Sequence, residues 1–234
     1  MTKKIFEQFN QFIKTIDERI LEFINIKDQK LTEHISGIHK GLWKNYKEIN
    51  GISTGFHGIS EYIVFSTFKN FIQNLNNPQK FIPKMINKDL RYFELEKNDK
   101  ILKISRASKL EHIGLKSKRA PDISIVLKEN KLLKPIAIIE VKNYFDKGSA
   151  KSAIEILNQV REEINYNNSK YAIFSFSKIS VRDKEVRDKL KRFSENNNNS
   201  VITNETEFNN EKNIEFNIID LSDFFTIIEN EVKL

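Results

Sequence analysis

Two neighbouring segments decide the fold of this chain: Pro121-Asp122-Ile123-Ser124-Ile125-Val126-Leu127, and Ile136-Ala137-Ile138-Ile139-Glu140-Val141-Lys142. Both are rich in β-branched residues. The segment that separates these two strand-like runs begins with the polar stretch 128–131 (Lys-Glu-Asn-Lys). Apolar runs of this length flanking a polar turn are typical of a β-hairpin. The sequence therefore predicts two antiparallel strands over 123–127 and 136–141.

The register of this hairpin brings two acidic residues together. If the chain turns near Asn130 and Lys131, the numbers of paired residues sum to about 261, which puts Asp122 opposite Ile139 or Glu140. Side chains alternate along a strand, so Glu140 and Lys142 share one face while Ile139 and Val141 share the other. We therefore expect the carboxylates of Asp122 and Glu140 to lie close to one another.

Two carboxylates at one end of a sheet suit a hard cation such as Mg²⁺, which takes oxygen ligands and leaves positions open for phosphate oxygens. Lys142 lies one pleat beyond Glu140, where its ammonium could stabilise charge that develops on a phosphate. Carboxylate, carboxylate and amine together favour phosphodiester hydrolysis. The alternative is purely structural, because Pro-Asp is a common dipeptide and Glu-x-Lys often forms a solvated ion pair.

At these residues the sequence resembles the PD-(D/E)xK nuclease superfamily, with Pro121-Asp122 as the first element and Glu140-Val141-Lys142 as the second. The resemblance implies a restriction-endonuclease-like αβββαβ core. It also implies a Mg²⁺ ion, replaceable by Mn²⁺, held by Asp122, Glu140 and the carbonyl of Val141, with Lys142 activating or positioning water.

Three further residues are candidates for the same site. Many members of the superfamily carry a glutamate on a helix before the sheet, and Glu61 is the best match for it as a metal ligand; otherwise it is an acid in the first turns of a helix. Gln159, on the predicted helix after the hairpin, and His57 are accessory candidates. Gln159 could instead be an ordinary surface residue, and His57 could simply end a turn.

The remaining sequence predicts an α/β protein with a mixed central sheet flanked by helices. Apolar residues at three- and four-residue spacing predict helices over 3–26, 31–50, 59–75, 150–166, 181–193 and 222–232. Strand-like runs cover 101–104, 171–176 and 214–219, whereas the rest of 76–111 lacks a period and the asparagines at 196–199 indicate a loop. We expect an N-terminal helical region over 1–50, packed on a nuclease core over 51–234.

The net charge and the composition limit the classes of partner and of site that this chain can have. The net charge is +7 and the chain has no cysteine, which excludes disulfides, thiolate nucleophiles and cysteine-based metal sites. A basic protein attracts polyanions, so nucleic acid is the leading partner class. The first residues lack a signal-peptide pattern and no segment is apolar enough to span a membrane, so we expect a cytoplasmic protein.

A basic cluster precedes Asp122 and is either a DNA-binding surface or a solvated loop: Arg106, Lys109, Lys116, Lys118 and Arg119.

These features favour a Mg²⁺-dependent endodeoxyribonuclease, most simply a type II restriction endonuclease that cuts double-stranded DNA as a homodimer, since one site cuts one strand. A repair, recombination or defence nuclease that recognises a DNA structure or end is the alternative. An inactive DNA-binding module of the same fold and an enzyme acting on RNA remain open.

Overall fold

The structure is a computed structural model that describes residues 3–24, 30–50, 56–75, 82–86, 89–97, 99–177, 184–203 and 218–232. Six helices are assigned in these ranges: α1 (Lys3–Ile24), α2 (Leu31–Asn50), α3 (His57–Leu75), α4 (Lys147–Ile164), α5 (Lys184–Ser194) and α6 (Leu221–Val232). The strands are β1 (Ile82–Ile86), β2 (Asp89–Lys97), β3 (Lys100–Arg106), β4 (Ile123–Glu129), β5 (Leu132–Lys142), β6 (Lys170–Ser175), β7 (Asn199–Thr203) and β8 (Ile218–Ile219).

All eight strands form one mixed sheet whose spatial order follows the order of the chain. Strands β1 to β5 pair antiparallel, whereas β5 to β8 pair parallel. Tight turns suffice for antiparallel neighbours, but parallel neighbours need crossover connections, which α4 and α5 supply between β5, β6 and β7. The predicted α/β class with a mixed, helix-flanked sheet is confirmed.

Helices cover both faces of the sheet. On one face, Ile16 of α1, Ile35 of α2 and Phe65 of α3 belong to the same buried cluster as Ile139 and Val141, and α6 completes it. On the other face, α4 and α5 pack over Ile138, Tyr171 and Val201. Within the described ranges, no helix is both long and apolar enough to cross a membrane.

The central hairpin adopts the predicted register with one correction. From Glu129↔Leu132 to Val126↔Pro135 the paired numbers sum to 261, but from Ile125↔Ala137 to Ile123↔Ile139 they sum to 262. Ile136 is the extra residue of a β-bulge, and so it lies in the same buried cluster as its neighbour Ala137. One step beyond the last pair, the register brings Asp122 opposite Glu140.

The turn of this hairpin is the predicted one. Asn130 adopts a left-handed backbone conformation (φ 57°) between the paired residues Glu129 and Leu132. Asparagine tolerates this conformation better than most residues because its short polar side chain bonds locally. The turn lies at the end of the hairpin remote from Asp122.

The connection from β3 to β4 closes on itself at the other end of the hairpin. The Ala107 N–H donates to the Asp122 carbonyl at 2.8 Å, so the loop begins and ends at one point. Leu110 and Ile113 anchor it in the core under α4. Because β3 and β4 pair Arg106 with Ile123, the loop leaves Arg106 beside Asp122.

Some elements differ from the sequence predictions. Strands β1 and β2 occupy the segment predicted to lack a period, and Asn199 begins β7 instead of ending a loop. All five residues of β7 are buried, so the strand shows no polar and apolar alternation. Helix α3 begins at His57, two residues before the predicted start, while 181–183 of a predicted helix and 214–217 of the predicted last strand fall outside the described residues.

One carboxylate joins the N-termini of two helices. Asp220 accepts from the N–H groups of Leu31 and Thr32 at 3.2 and 3.1 Å, and from the Ser222 N–H at 2.9 Å. In return, the Thr32 hydroxyl accepts from the Leu221 N–H at 2.7 Å. Asp220 therefore caps both α2 and α6, which the sequence periodicity did not predict.

Candidate active site

Four elements converge at the end of the hairpin opposite its turn. Helix α3 contributes His57 and Glu61, and the end of β3 contributes Arg106. Asp122 immediately precedes β4, and β5 ends at Lys142. Antiparallel pairing puts the chain entering β4 beside the chain leaving β5, which is why residues far apart in sequence meet here.

Asp122 lies at the centre of the cluster and uses its two oxygens differently. Oδ2 accepts a hydrogen bond of 2.7 Å from the Val141 N–H and lies 3.7 Å from Nζ of Lys142. Oδ1 lies 4.0 Å from Nε2 of His57. The backbone hydrogen bond fixes the carboxylate of Asp122 against the end of β5, while its other oxygen faces α3.

Glu140 and Lys142 form a buried ion pair. Nζ of Lys142 lies 2.8 Å from Oε2 of Glu140, whose side chain is only 2% exposed. One ammonium therefore contacts both predicted carboxylates, Asp122 and Glu140. The two acids are brought together, as the register predicted, but the lysine lies between them.

Glu61 joins the cluster from α3. Its Oε1 lies 3.0 Å from Nε2 of His57, and its Oε2 lies 3.9 Å from Nη1 of Arg106. The same Arg106 nitrogen donates to the Gly58 carbonyl at 2.9 Å, and its guanidinium lies over the ring of Tyr62. Arg106 thus holds the beginning of α3 against the sheet.

His57, Glu61 and Asp122 form a group that could hold a metal ion. One ligand atom from each lies within 4.8 Å of the others. The carboxylates of Glu61 and Asp122 suit Mg²⁺ or Mn²⁺, whereas the imidazole of His57 favours a transition metal. Glu140 is not a member of this group in the described part of the chain.

The electrostatics of the cluster reflect burial and like charge. Burial and then the charge of Asp122 raise the pKa of Glu61, and the same causes raise the pKa of Glu140 to about 7. Burial alone would lower the pKa of Lys142, but Glu140 and Asp122 outweigh it and raise that pKa. Three carboxylates and two permanent cations leave one negative charge when all are ionised, so a cation would be favoured.

The basic cluster predicted to bind DNA is divided by the structure. Arg106 belongs to the candidate active-site cluster, whereas Lys109 pairs with Glu111 at 3.6 Å and Arg119 pairs with Glu163 at 3.2 Å. Lys116 and Lys118 are exposed on the loop that ends at Asp122. These two lysines are the members best placed to contact phosphate.

The remaining candidates have different outcomes. Gln159 is exposed on α4 and has no hydrogen bond to the cluster among the described residues. The sequence predicts an accessory or turn role for His57 and a DNA-binding role for Arg106, not a place for Arg106 in the site. A signal for Arg106 did exist, because a strand over 101–104 that pairs with the hairpin would end beside Asp122. His57 lies four residues before Glu61, so both occupy one side of a helix.

Comparisons with known proteins do not assign this chain to a family. No family model matches the chain, and no curated protein matches it. The class that the fold and site define is therefore an α/β protein whose described residues form a cluster of three carboxylates, one lysine and one arginine, with an exposed histidine at its edge.

Proposed function

We propose that this chain is a divalent-metal-dependent endonuclease that hydrolyses DNA phosphodiester bonds. The observation that carries the proposal is the contact of one ammonium, Lys142, with both Asp122 and Glu140, beside a metal-competent group that shares Asp122. The order of elements also supports it: β3, β4, β5, α4 and β6 follow α3, with β1 and β2 inserted before β3, and this order resembles the αβββαβ core of the PD-(D/E)xK nucleases.

Each residue has a role that follows from its position. His57, Glu61 and Asp122 would hold the cation, which supplies Lewis-acid polarisation of the phosphate and of a bound water. Glu140 orients Lys142, whose ammonium would stabilise the charge that develops on the phosphate oxygens. Arg106 keeps Glu61 in place through α3. The Glu140 carboxylate and the Val141 carbonyl would bind the cation only if Lys142 moved out from between the two acids.

Cleavage of plasmid DNA tests the proposal and separates its versions. With Mg²⁺ or Mn²⁺, a type II restriction enzyme gives discrete fragments, whereas a structure- or end-directed nuclease acts on nicked, branched or frayed DNA and leaves intact circles alone. A chelator should stop either reaction. An absence of cutting with any divalent ion on all these substrates would instead favour the DNA-binding module. Paired strand breaks would support the proposed homodimer.

A metal ion should stabilise the protein through Glu61. Because ions that bind only the folded state raise its stability, Mn²⁺ should raise the melting temperature of the wild-type chain. Glu61→Gln removes one ligand charge and should reduce that rise, as measured by differential scanning fluorimetry. Glu155→Gln, at an exposed position of α4, is the matched control. An identical Mn²⁺ response in the two variants would remove Glu61 from the metal site.

Lys116 and Lys118 should contribute affinity without sequence preference. Replacing both with alanine should weaken DNA binding and lower the slope of log K against log salt by about two, because two phosphate contacts are lost. Fluorescence anisotropy at several salt concentrations measures the slope. The double variant of Lys128 and Lys131, at the opposite end of the hairpin, is the control, and equal slopes in both variants would contradict the assignment.

A further inference from the structure

A groove opens beside the active-site cluster, between α2 and the segment that follows β5. It has a volume of about 870 Å³, and Trp43, Asn143, Tyr144 and Phe176 lie on its walls. A second depression of about 720 Å³ continues along α2 and shares Gly37, Lys40 and Trp43 with the first. Tyr144 follows Lys142 by two residues, so the groove begins next to the proposed cleavage site.

One wall of the groove is aromatic and rigidly supported. The ring of Trp43 packs edge-to-face against the fully buried Phe56, with centroids 5.0 Å apart, and against Tyr144 at 5.7 Å. His39 stacks on Phe176 at 3.9 Å beneath them. Tyr144 is nevertheless 58% exposed, which is unusual for a large ring held in an aromatic cluster. Tyr144 therefore offers an open π-face that is supported by packed aromatic rings.

The neighbouring face of α2 is basic. Lys40, Lys44 and Lys47 recur at helical spacing, are exposed, and have no ion-pair partner among the residues that the structure describes. Gly37 and Gly41 lie on the same helix, and a Cβ built on either would meet nothing within 4 Å, so the helix backbone there is open to a ligand. Glu33, Glu48 and Asp220 also border the two depressions, but Asp220 is occupied by the helix N-termini it caps.

We propose that this groove binds an unpaired strand of nucleic acid, with a base stacked on the exposed ring of Tyr144 beside Trp43 and phosphates along Lys40 and Lys44. Stacking platforms flanked by cations are how proteins hold single strands, because every base has a π-face and every linkage has a charge. A duplex hides its base faces inside the stack, so only an unpaired segment fits both features. The inference rests on the proposed function and deepens it, because it makes the substrate a junction between duplex and single strand, or a frayed end.

Trp43 is the one tryptophan of the chain, so its fluorescence reports on the groove directly. The wild-type protein is titrated in chelator with a single-stranded oligothymidylate of about twelve nucleotides, an oligouridylate of the same length, and a blunt duplex. Both single strands should quench Trp43 at lower concentrations than the duplex does. Quenching by only one of the two single strands would still support the groove and would identify its polymer as DNA or RNA. Equal quenching by duplex and single strand would overturn the proposal.

Variants separate the groove from the rest of the surface. Tyr144→Ala should weaken binding of the single strand by roughly tenfold, the loss expected for one stacked base, and change duplex binding little. The control Tyr166→Ala removes a tyrosine beyond the end of α4. Lys40→Ala with Lys44→Ala should lower the salt slope for the single strand, whereas Lys128→Ala with Lys131→Ala should not. Unchanged single-strand affinity in the groove variants would contradict the proposal.

The outcomes also distinguish this inference from the proposed nuclease activity. If no divalent ion supports cutting but single strands still quench Trp43, the groove stands and the catalytic proposal fails. If the protein cuts DNA and Tyr144→Ala cuts intact duplex and tailed duplex in the wild-type ratio, the groove fails and the catalytic proposal stands. A change in Trp43 emission with protein concentration alone would mean that a second copy covers the groove, which would overturn the inference.

Discussion

Asp122→Asn should reduce the rate of DNA cleavage by about two to three orders of magnitude while leaving DNA binding intact. The substitution keeps the size of the side chain, and the carboxamide oxygen can still accept from the Val141 N–H. It removes the charge that Asp122 presents to Lys142 and contributes to the metal-competent group. Single-turnover cleavage of labelled DNA at saturating Mg²⁺ measures the loss, and anisotropy in chelator measures binding.

A matched control and a second variant make the result specific. Asp188→Asn removes an exposed carboxylate on α5 and should cut at the wild-type rate. Lys142→Met retains most of the side-chain stem but loses the ammonium shared by Asp122 and Glu140. Its cleavage rate should fall as far as that of Asp122→Asn. Cleavage within about threefold of wild type in either active-site variant would mean that the chemistry lies elsewhere.

Asp220→Ala should lower the free energy of unfolding by about 2 kcal/mol, because two helix caps are lost together. For a chain of this length that corresponds to a fall of about 4–8 °C in melting temperature. The effect is larger than for an ordinary cap because one carboxylate accepts from α2 and from α6. Thermal unfolding followed by circular dichroism measures it, with Glu229→Ala on the exposed side of α6 as the control.

The same carboxylate makes stability depend on pH. Partial burial opposes ionisation, but hydrogen bonds from Ser222 and Thr32 outweigh it and hold the pKa of Asp220 below its usual 3.8. A depressed folded pKa stabilises the protein above the unfolded pKa, and this contribution is lost as the pH falls through the folded value. The gap in melting temperature between wild type and Asp220→Asn should thus be constant near neutral pH and narrow below about pH 4. A gap independent of pH would show that charge is not involved.

Much of the site was accessible to prediction because its central residues are local. Asp122 and Glu140 belong to one hairpin, and a tight turn fixes the pairing of its strands to within a residue. The bulge at Ile136 shifted the register by one, and this shift determines that Asp122 comes opposite Glu140 and not Ile139. Glu61 also joined the cluster as expected, although its metal role stays a prediction.

The features that the sequence does not predict depend on contacts between residues far apart in the chain. Strands β2 and β7 carry no clear alternation because residues on both of their faces are buried, so only neighbouring strands identify them. His57 and Arg106 looked like a turn residue and a DNA-binding residue because their significance depends on the position of α3 against the end of β3.

The sequence by itself determined the mixed α/β class, the hairpin and the meeting of two acids with one lysine, because strand alternation and a short turn act within about twenty residues. Only the tertiary structure decided that Lys142 lies between those acids and that Asp122 also faces His57 and Glu61. It likewise decided that an aromatic, lysine-edged groove lies beside them. These features join helices to strand ends across the sheet, and such contacts are fixed by packing, which leaves no periodic pattern in the sequence.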